Sequence, residues 1–202
     1  MGENSLIIGF NKSNSLAESF MYYYKYDCKS IKIDAQITQD KKIALCNSNA
    51  ADMRLKHLFR EKILTLDEYF KYIPQDMTTI IDMTRQYGGK QNLIANDVVC
   101  RMIMAAKRHG KKNIIYISYD RELTRIVIKN RREAWLMIKD ESELVDLDIY
   151  PTLVIDKDLI ETVAILFPMK TIILNHLKNH EEWLDMKSKY PFIKGGIISI
   201  YR

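Results

Sequence analysis

Eight short strand-like stretches, at 5–10, 30–46 (a strand with its hairpin), 78–83, 113–119, 134–138, 152–155, 170–174 and 196–200, set the strongest limit on what this chain can fold into. Most are near-continuous stretches of Ile, Leu and Val, the composition that parallel strands covered on both faces require. Helical patterns separate them. Ser15 with Glu18 forms a capping box for a helix running to about Tyr26, and Thr65 with Glu68 forms another, with Leu66, Tyr69, Phe70 and Ile73 on one face. Further helices are expected at 92–109, closed by Gly110, at 121–130, 141–145, 159–167 and 181–189. The loop at 48–62 is the one long stretch without a clear element. Eight such units predict a small α/β protein, a closed (β/α)8 barrel without a helix after the last strand and with any site at the C-terminal strand ends. A doubly wound open sheet fits the same pattern.

The 202 residues suit one domain, 1–202, and no linker or low-complexity segment divides them. No apolar run approaches the roughly 18 residues of a membrane span, and the start of the chain lacks the pattern of a signal peptide. Cys28, Cys46 and Cys100 are odd in number and widely spaced, as expected of reduced thiols in a cytoplasmic protein. A net charge of +5 is mild for this length, and nucleic acid is not an expected partner. The basic groups Lys107-Arg108 to Lys111-Lys112 and Lys129 to Arg132 both fall at helix ends, where cations complement the dipole.

Within residues 30–49, Ile31, Ile33 and Ala35 alternate with Lys32, Asp34 and Gln36, so Lys32 and Asp34 share one side of a strand. A turn at Gln39-Asp40-Lys41 and a second short run to Cys46 complete a hairpin that ends on Asn47-Ser48. By periodicity alone this is an ordinary hairpin with polar residues facing water. The stretch also resembles the segment Ile-Glu-Leu-Asp-Val-Gln-Leu-Thr-Lys-Asp-Gly-x-Pro-Val-Val-x-His-Asp of the glycerophosphodiester phosphodiesterases, which are related in fold to phosphatidylinositol-specific phospholipase C. The likeness continues through Asn14, Leu16 and Phe20, Thr65-Leu66 with Glu68, Ile80-Ile81-Asp82, Ile117-Ser118-Tyr119-Asp120 and Gly195-Gly196-Ile197-Ile198-Ser199.

The frame of that family is kept while its chemistry is altered. Its two catalytic histidines correspond to Gly9 and Asn47, one metal-binding Glu to Lys32 and a Lys to Thr84, whereas Asp34 and Asp82 keep two of its three metal-binding carboxylates. The resemblance implies an oxygen-ligated Mg or Ca ion, if the chain is active, and phosphodiester hydrolysis in lipid metabolism. Gly9 and Asn47 cannot transfer protons near neutral pH. General acid–base groups are typically worth about 10²–10⁴-fold each, so a non-catalytic pseudoenzyme without a cofactor is expected. It would act as a scaffold or bind a phosphorylated glycerol-type ligand through Lys32, Asp34, Asp82 and Thr84.

A charge count gives Lys32 a specific role. A divalent cation with three carboxylates sums to −1, and so does one ammonium with two. Lys32 is therefore expected between Asp34 and Asp82 as an internal cation. Among the four histidines, His57, His109 and His180 read as solvated or capping residues. His176 follows an apolar run and would lie near the mouth. It is the candidate substitute base for a residual metal-dependent hydrolase, with Asp34 or Asp82 as its partner.

Overall fold

The computed structural model describes residues 5–10, 25, 29–46, 53–83 and 95–199, with the backbone alone for 5–10 and Ser199. Nine strands run in order: β1 (Ser5–Phe10), β2 (Ser30–Ile37), β3 (Ile43–Leu45), β4 (Thr78–Asp82), β5 (Ile114–Ser118), β6 (Glu133–Ile138), β7 (Thr152–Ile155), β8 (Thr171–Leu177) and β9 (Gly195–Ser199). Six described α-helices join them: α1 (Leu55–Arg60), α2 (Leu66–Tyr72), α3 (Ala95–Arg108), α4 (Arg121–Lys129), α5 (Ile160–Leu166) and α6 (His180–Lys189). The expected helix near 15–26 lies outside the described residues except for Lys25, which is helical.

Eight strands form one curled parallel sheet. β2 pairs with β4, each later strand pairs with the next, and β1 pairs with β9 on one side and β2 on the other. The pairings run full circle, which excludes the doubly wound open sheet, whose outer strands would stay unpaired. β3 stands outside the ring as the antiparallel arm of the β2 hairpin.

The near-continuous apolar runs follow from this geometry. Side chains facing into the ring, among them Ile80, Ile117, Trp135, Val154, Ile173 and Ile197, pack on one another. Outward-facing ones pack beneath helices, as Ile33 and Ile81 do with Val99 and Met102 of α3. Both strand faces are therefore buried, and charge enters the wall only where a partner awaits it.

Several helix starts are local in origin. Thr65 caps α2 by accepting from the Glu68 amide at 3.2 Å, while the Glu68 carboxylate accepts from the Thr65 amide at 2.8 Å. Asp120 caps α4 through the amides of Glu122 and Leu123. Helix α1 corrects the expectation of an irregular 48–62 loop. Its first amide, at Leu55, donates to the Asp40 carboxylate 2.8 Å away in the hairpin turn, 15 residues upstream, and the local contact at its start, the Arg54 amide donating to His57 Nδ1 at 3.2 Å, uses residue types that carry no capping signal. The short helix expected at 141–145 is a single 3-10 turn, Glu141–Glu143, and the one at 159–167 begins as a 3-10 turn, Lys157–Leu159.

Helices α3 and α4 end alike. Gly110 donates to the Lys107 carbonyl and Lys111 to that of Ala106; Arg131 donates to Ile128 and Arg132 to Val127. Each is the paired hydrogen-bond closure that needs a left-handed residue one step past the cap. Gly110 supplies it at φ +64°, whereas Arg131 supplies it at φ +54°, where a side chain costs about 1 kcal/mol or more relative to glycine.

At Gly196 a Cβ would lie 2.4 Å from Leu177 Cδ1 and 2.6 Å from Trp183 Cε3. Both neighbours are buried, and the tryptophan ring has little room to give. Gly196→Ala should lower the unfolding free energy by roughly 1–3 kcal/mol, read from the denaturant midpoint.

Candidate functional site

Strands β2 and β4 are in parallel register with Asp34 opposite Asp82 and Lys32 opposite Ile80, so all four side chains face into the ring. Lys32 Nζ lies 2.8 Å from Asp34 Oδ1 and 2.8 Å from Asp82 Oδ2. The side chains of Lys32 and Asp82 retain 15% and 11% exposure, so the ion pairs are largely shielded from water. Burial works against the ammonium's charge, but the carboxylates of Asp82 and then Asp34 outweigh it and push the Lys32 pKa above the ordinary lysine value of 10.5. Gly9 lies in register with Lys32 on the neighbouring β1. Asn47 and Thr84 lie outside the described residues.

A second polar group occupies the ends of β7 and β8. Asp156 directly follows β7 and meets His176 Nδ1 at 3.1 Å through Oδ1; the Asn175 amide lies 3.3 Å from His176 Nε2. The pairing of β8 with β9 shifts register between Leu174 and Leu177, and His176 sits in that bulge at φ +54°. Bulges of this kind re-aim a side chain at a rim. Two expectations are corrected here. The strand continues to Leu177, so His176 is within it rather than after it. Its partner is Asp156 and not Asp34 or Asp82, because β8 stands beside β7 in the ring, away from β2 and β4.

Tyr119, one residue past β5, lies between the two groups. Burial, aided by the Asp156 and Asp82 carboxylates, pushes its pKa up to about 12, while Lys32 and a hydrogen bond with Asn175 act the other way. The phenol is therefore protonated at any ordinary pH and available as a donor. Lys139 stands 4.8 Å from the centre of its ring. Asp156, Tyr119 and Asn175 carried no functional signal in composition or spacing. The one usable cue was position, a polar residue directly after an apolar strand.

The metal implied by the family resemblance does not fit these residues. An ammonium stands between the two carboxylates that would ligate it, and no group of three or more His, Cys, Asp or Glu side chains suited to a metal occurs among the described residues. Two carboxylates alone fall short of the six or more oxygen ligands that Ca or Mg takes, unless water supplies most of them.

The sequence matches no protein-family profile and no curated protein. Solved structures do match. A glycerophosphodiester phosphodiesterase from Parabacteroides distasonis superposes with a TM-score of 0.76 at 15% identity, covering 98% of this chain and 92% of that one. A phosphodiesterase from Oleispira antarctica, in complex with the product sn-glycerol-3-phosphate, gives 0.77 at 12% identity over 98% and 93%. A glycerol uptake operon antiterminator-related protein from Thermotoga maritima gives 0.60 at 12% identity over 96% and 94%. Likeness at such identities establishes the fold, and that fold is shared by hydrolases and by a protein named for gene regulation. No described helix is long and apolar enough to cross a membrane.

Lys32→Met would leave two carboxylates facing each other without a cation and should cost about 3 kcal/mol of stability at neutral pH, measured by denaturant unfolding. Because folding raises the Lys32 pKa, its contribution is complete below the unfolded value near 10.5 and is lost only as pH climbs through the higher folded value. The wild-type advantage over Lys32→Met should therefore hold from pH 7 to 10 and shrink in stronger alkali.

Proposed function

From the premise that this chain has the fold of the glycerophosphodiester phosphodiesterases, we propose that it is a small (β/α)8 barrel that binds a phosphorylated glycerol-type ligand at its mouth without hydrolysing it. The observation that carries this reading is the Lys32 ammonium held at 2.8 Å from both Asp34 and Asp82. Lys32 stands in for the divalent ion of the family resemblance: the floor of the mouth keeps a net charge of −1 but loses a Lewis acid. An ammonium polarises no water and offers no open coordination position. Gly9 and Asn47 supply no proton-transfer group in its place.

Binding asks less than turnover. The two ion pairs engage two of the three N–H donors on Lys32, and the third is available for a phosphate or glycerol oxygen. Tyr119 adds a neutral hydroxyl donor, and His176 and Asn175 adaptable polar contacts. The sn-glycerol-3-phosphate held by the Oleispira antarctica protein is the ligand class this reading adopts.

One observation favours a second reading, a residual hydrolase. Asp156 fixes His176 Nδ1 at 3.1 Å, the orientation a carboxylate gives a general base whose other nitrogen takes the proton. In that case turnover should follow His176 and fall by roughly 10²-fold or more in His176→Gln.

The test is hydrolysis of a panel of glycerophosphodiesters and lysophospholipids, with and without magnesium and calcium, alongside calorimetric binding of sn-glycerol-3-phosphate. No turnover above the Asp34→Ala background is expected, with saturable binding that weakens in Lys32→Met. Metal-dependent turnover abolished by Asp34→Ala would overturn the proposal. Turnover that survives without metal but is lost in His176→Gln would establish the second reading.

A further inference from the structure

At the face opposite the mouth, the first residues of β4, β5 and β6 border a cavity of about 330 Å³. Lys107, Lys111 and Lys112 line it from the end of α3, and Arg131 and Arg132 line it from the end of α4. Glu133 is the single carboxylate in the lining, so the cavity carries a surplus of +4 (+5 − 1), in a chain whose whole net charge is +5. Most of the protein's excess positive charge is thus focused on one concavity.

These cations differ from their neighbours on the same helix. Arg101 pairs with Asp97 and Arg108 with Asp67. Glu133 is occupied, accepting from Trp135 Nε1 at 3.0 Å, and Lys111 donates to the Ile73 carbonyl at 2.5 Å. Among the described residues, no acidic side chain pairs with Lys107, Lys112, Arg131 or Arg132. The helix dipole accounts for a cation or two at each helix end. It does not account for the convergence of two such ends, five cations in all, on one concavity.

We propose that this cavity binds a small ligand bearing several phosphate groups, of the diphosphate or triphosphate class. Two arginines offer forked donors that match phosphate oxygens bidentately, and Lys107 and Lys112 add point charges around the same space. A carboxylate ligand would neutralise only one of the four. The volume lies at the lower end of the range for small-molecule sites. The floor, Ile115 and Tyr116, is buried and leaves no exposed ring on which a base could stack, which disfavours single-stranded nucleic acid.

Titration calorimetry with sodium tripolyphosphate tests this, using wild type, the double variant Arg131→Gly/Arg132→Ser, and the control Lys56→Ser/Arg60→Ser, which removes the same charge from exposed positions on α1. One saturable site is expected in wild type, weakened roughly tenfold or more in the cavity variant and little changed in the control. Arg131→Gly relieves the left-handed residue, so the variant's melting temperature should not fall, which separates lost binding from lost folding. Absence of saturable binding, equal weakening in the control, or binding of a single-stranded RNA oligomer without tripolyphosphate would overturn the proposal.

Discussion

The ammonium of Lys32, held between the carboxylates of Asp34 and Asp82, is the constraint on which the mouth of this protein depends. Three charged side chains face inward in a ring whose interior also holds an apolar layer of Ile80, Ile117, Trp135, Val154, Ile173 and Ile197. None of the three is tolerable there alone, because an unpaired charge shielded from water is far more costly than a paired one. Strand register brings them together: β2 and β4 are parallel and aligned, so Asp34 faces Asp82 and Lys32 reaches both from one step below. The same register would serve a metal if a carboxylate stood at position 32. In the proposed reading, the residue type at position 32 decides whether this floor holds an exchangeable cation or a covalently attached one.

An attached cation alters what the mouth can do without greatly altering its field. The net charge is the same, so an anionic or polyol ligand meets a similar floor. In the proposed reading, the ability to lower the pKa of bound water, or to open a coordination position for substrate, is given up. Around this floor stand a half-buried tyrosine kept protonated, an asparagine beside it, and a histidine oriented by Asp156. The fold itself leaves both outcomes open, since it is found in phosphodiesterases and in an antiterminator-related protein alike.

Much of this was legible in the residues, and the exceptions have physical causes. The apolar runs and capping boxes gave β5, β7, α2 and α4 nearly as they stand, because those signals are local. The ion-pair geometry was legible from charge count and strand alternation, because side-chain period and register together fix which residues meet. Helix α1 has no legible start because Asp40 of the hairpin, distant in sequence, and the unusual capping residue His57 accept from its first amides. The partner of His176 was misread because a bulge, which depends on how β8 meets β9, turns the histidine toward β7. The convergence of Lys107 to Lys112 with Arg131 and Arg132 was visible as two separate helix ends, and only the parallel order of β4, β5 and β6 makes them walls of one cavity.

The measurement that bears most directly on the internal cation is manganese binding followed by electron paramagnetic resonance, comparing wild type with Lys32→Glu. The account predicts no stoichiometric site in the wild type and one site in Lys32→Glu, where a third carboxylate replaces the ammonium. Stoichiometric manganese binding by the wild type, lost on Asp34→Ala, would contradict it.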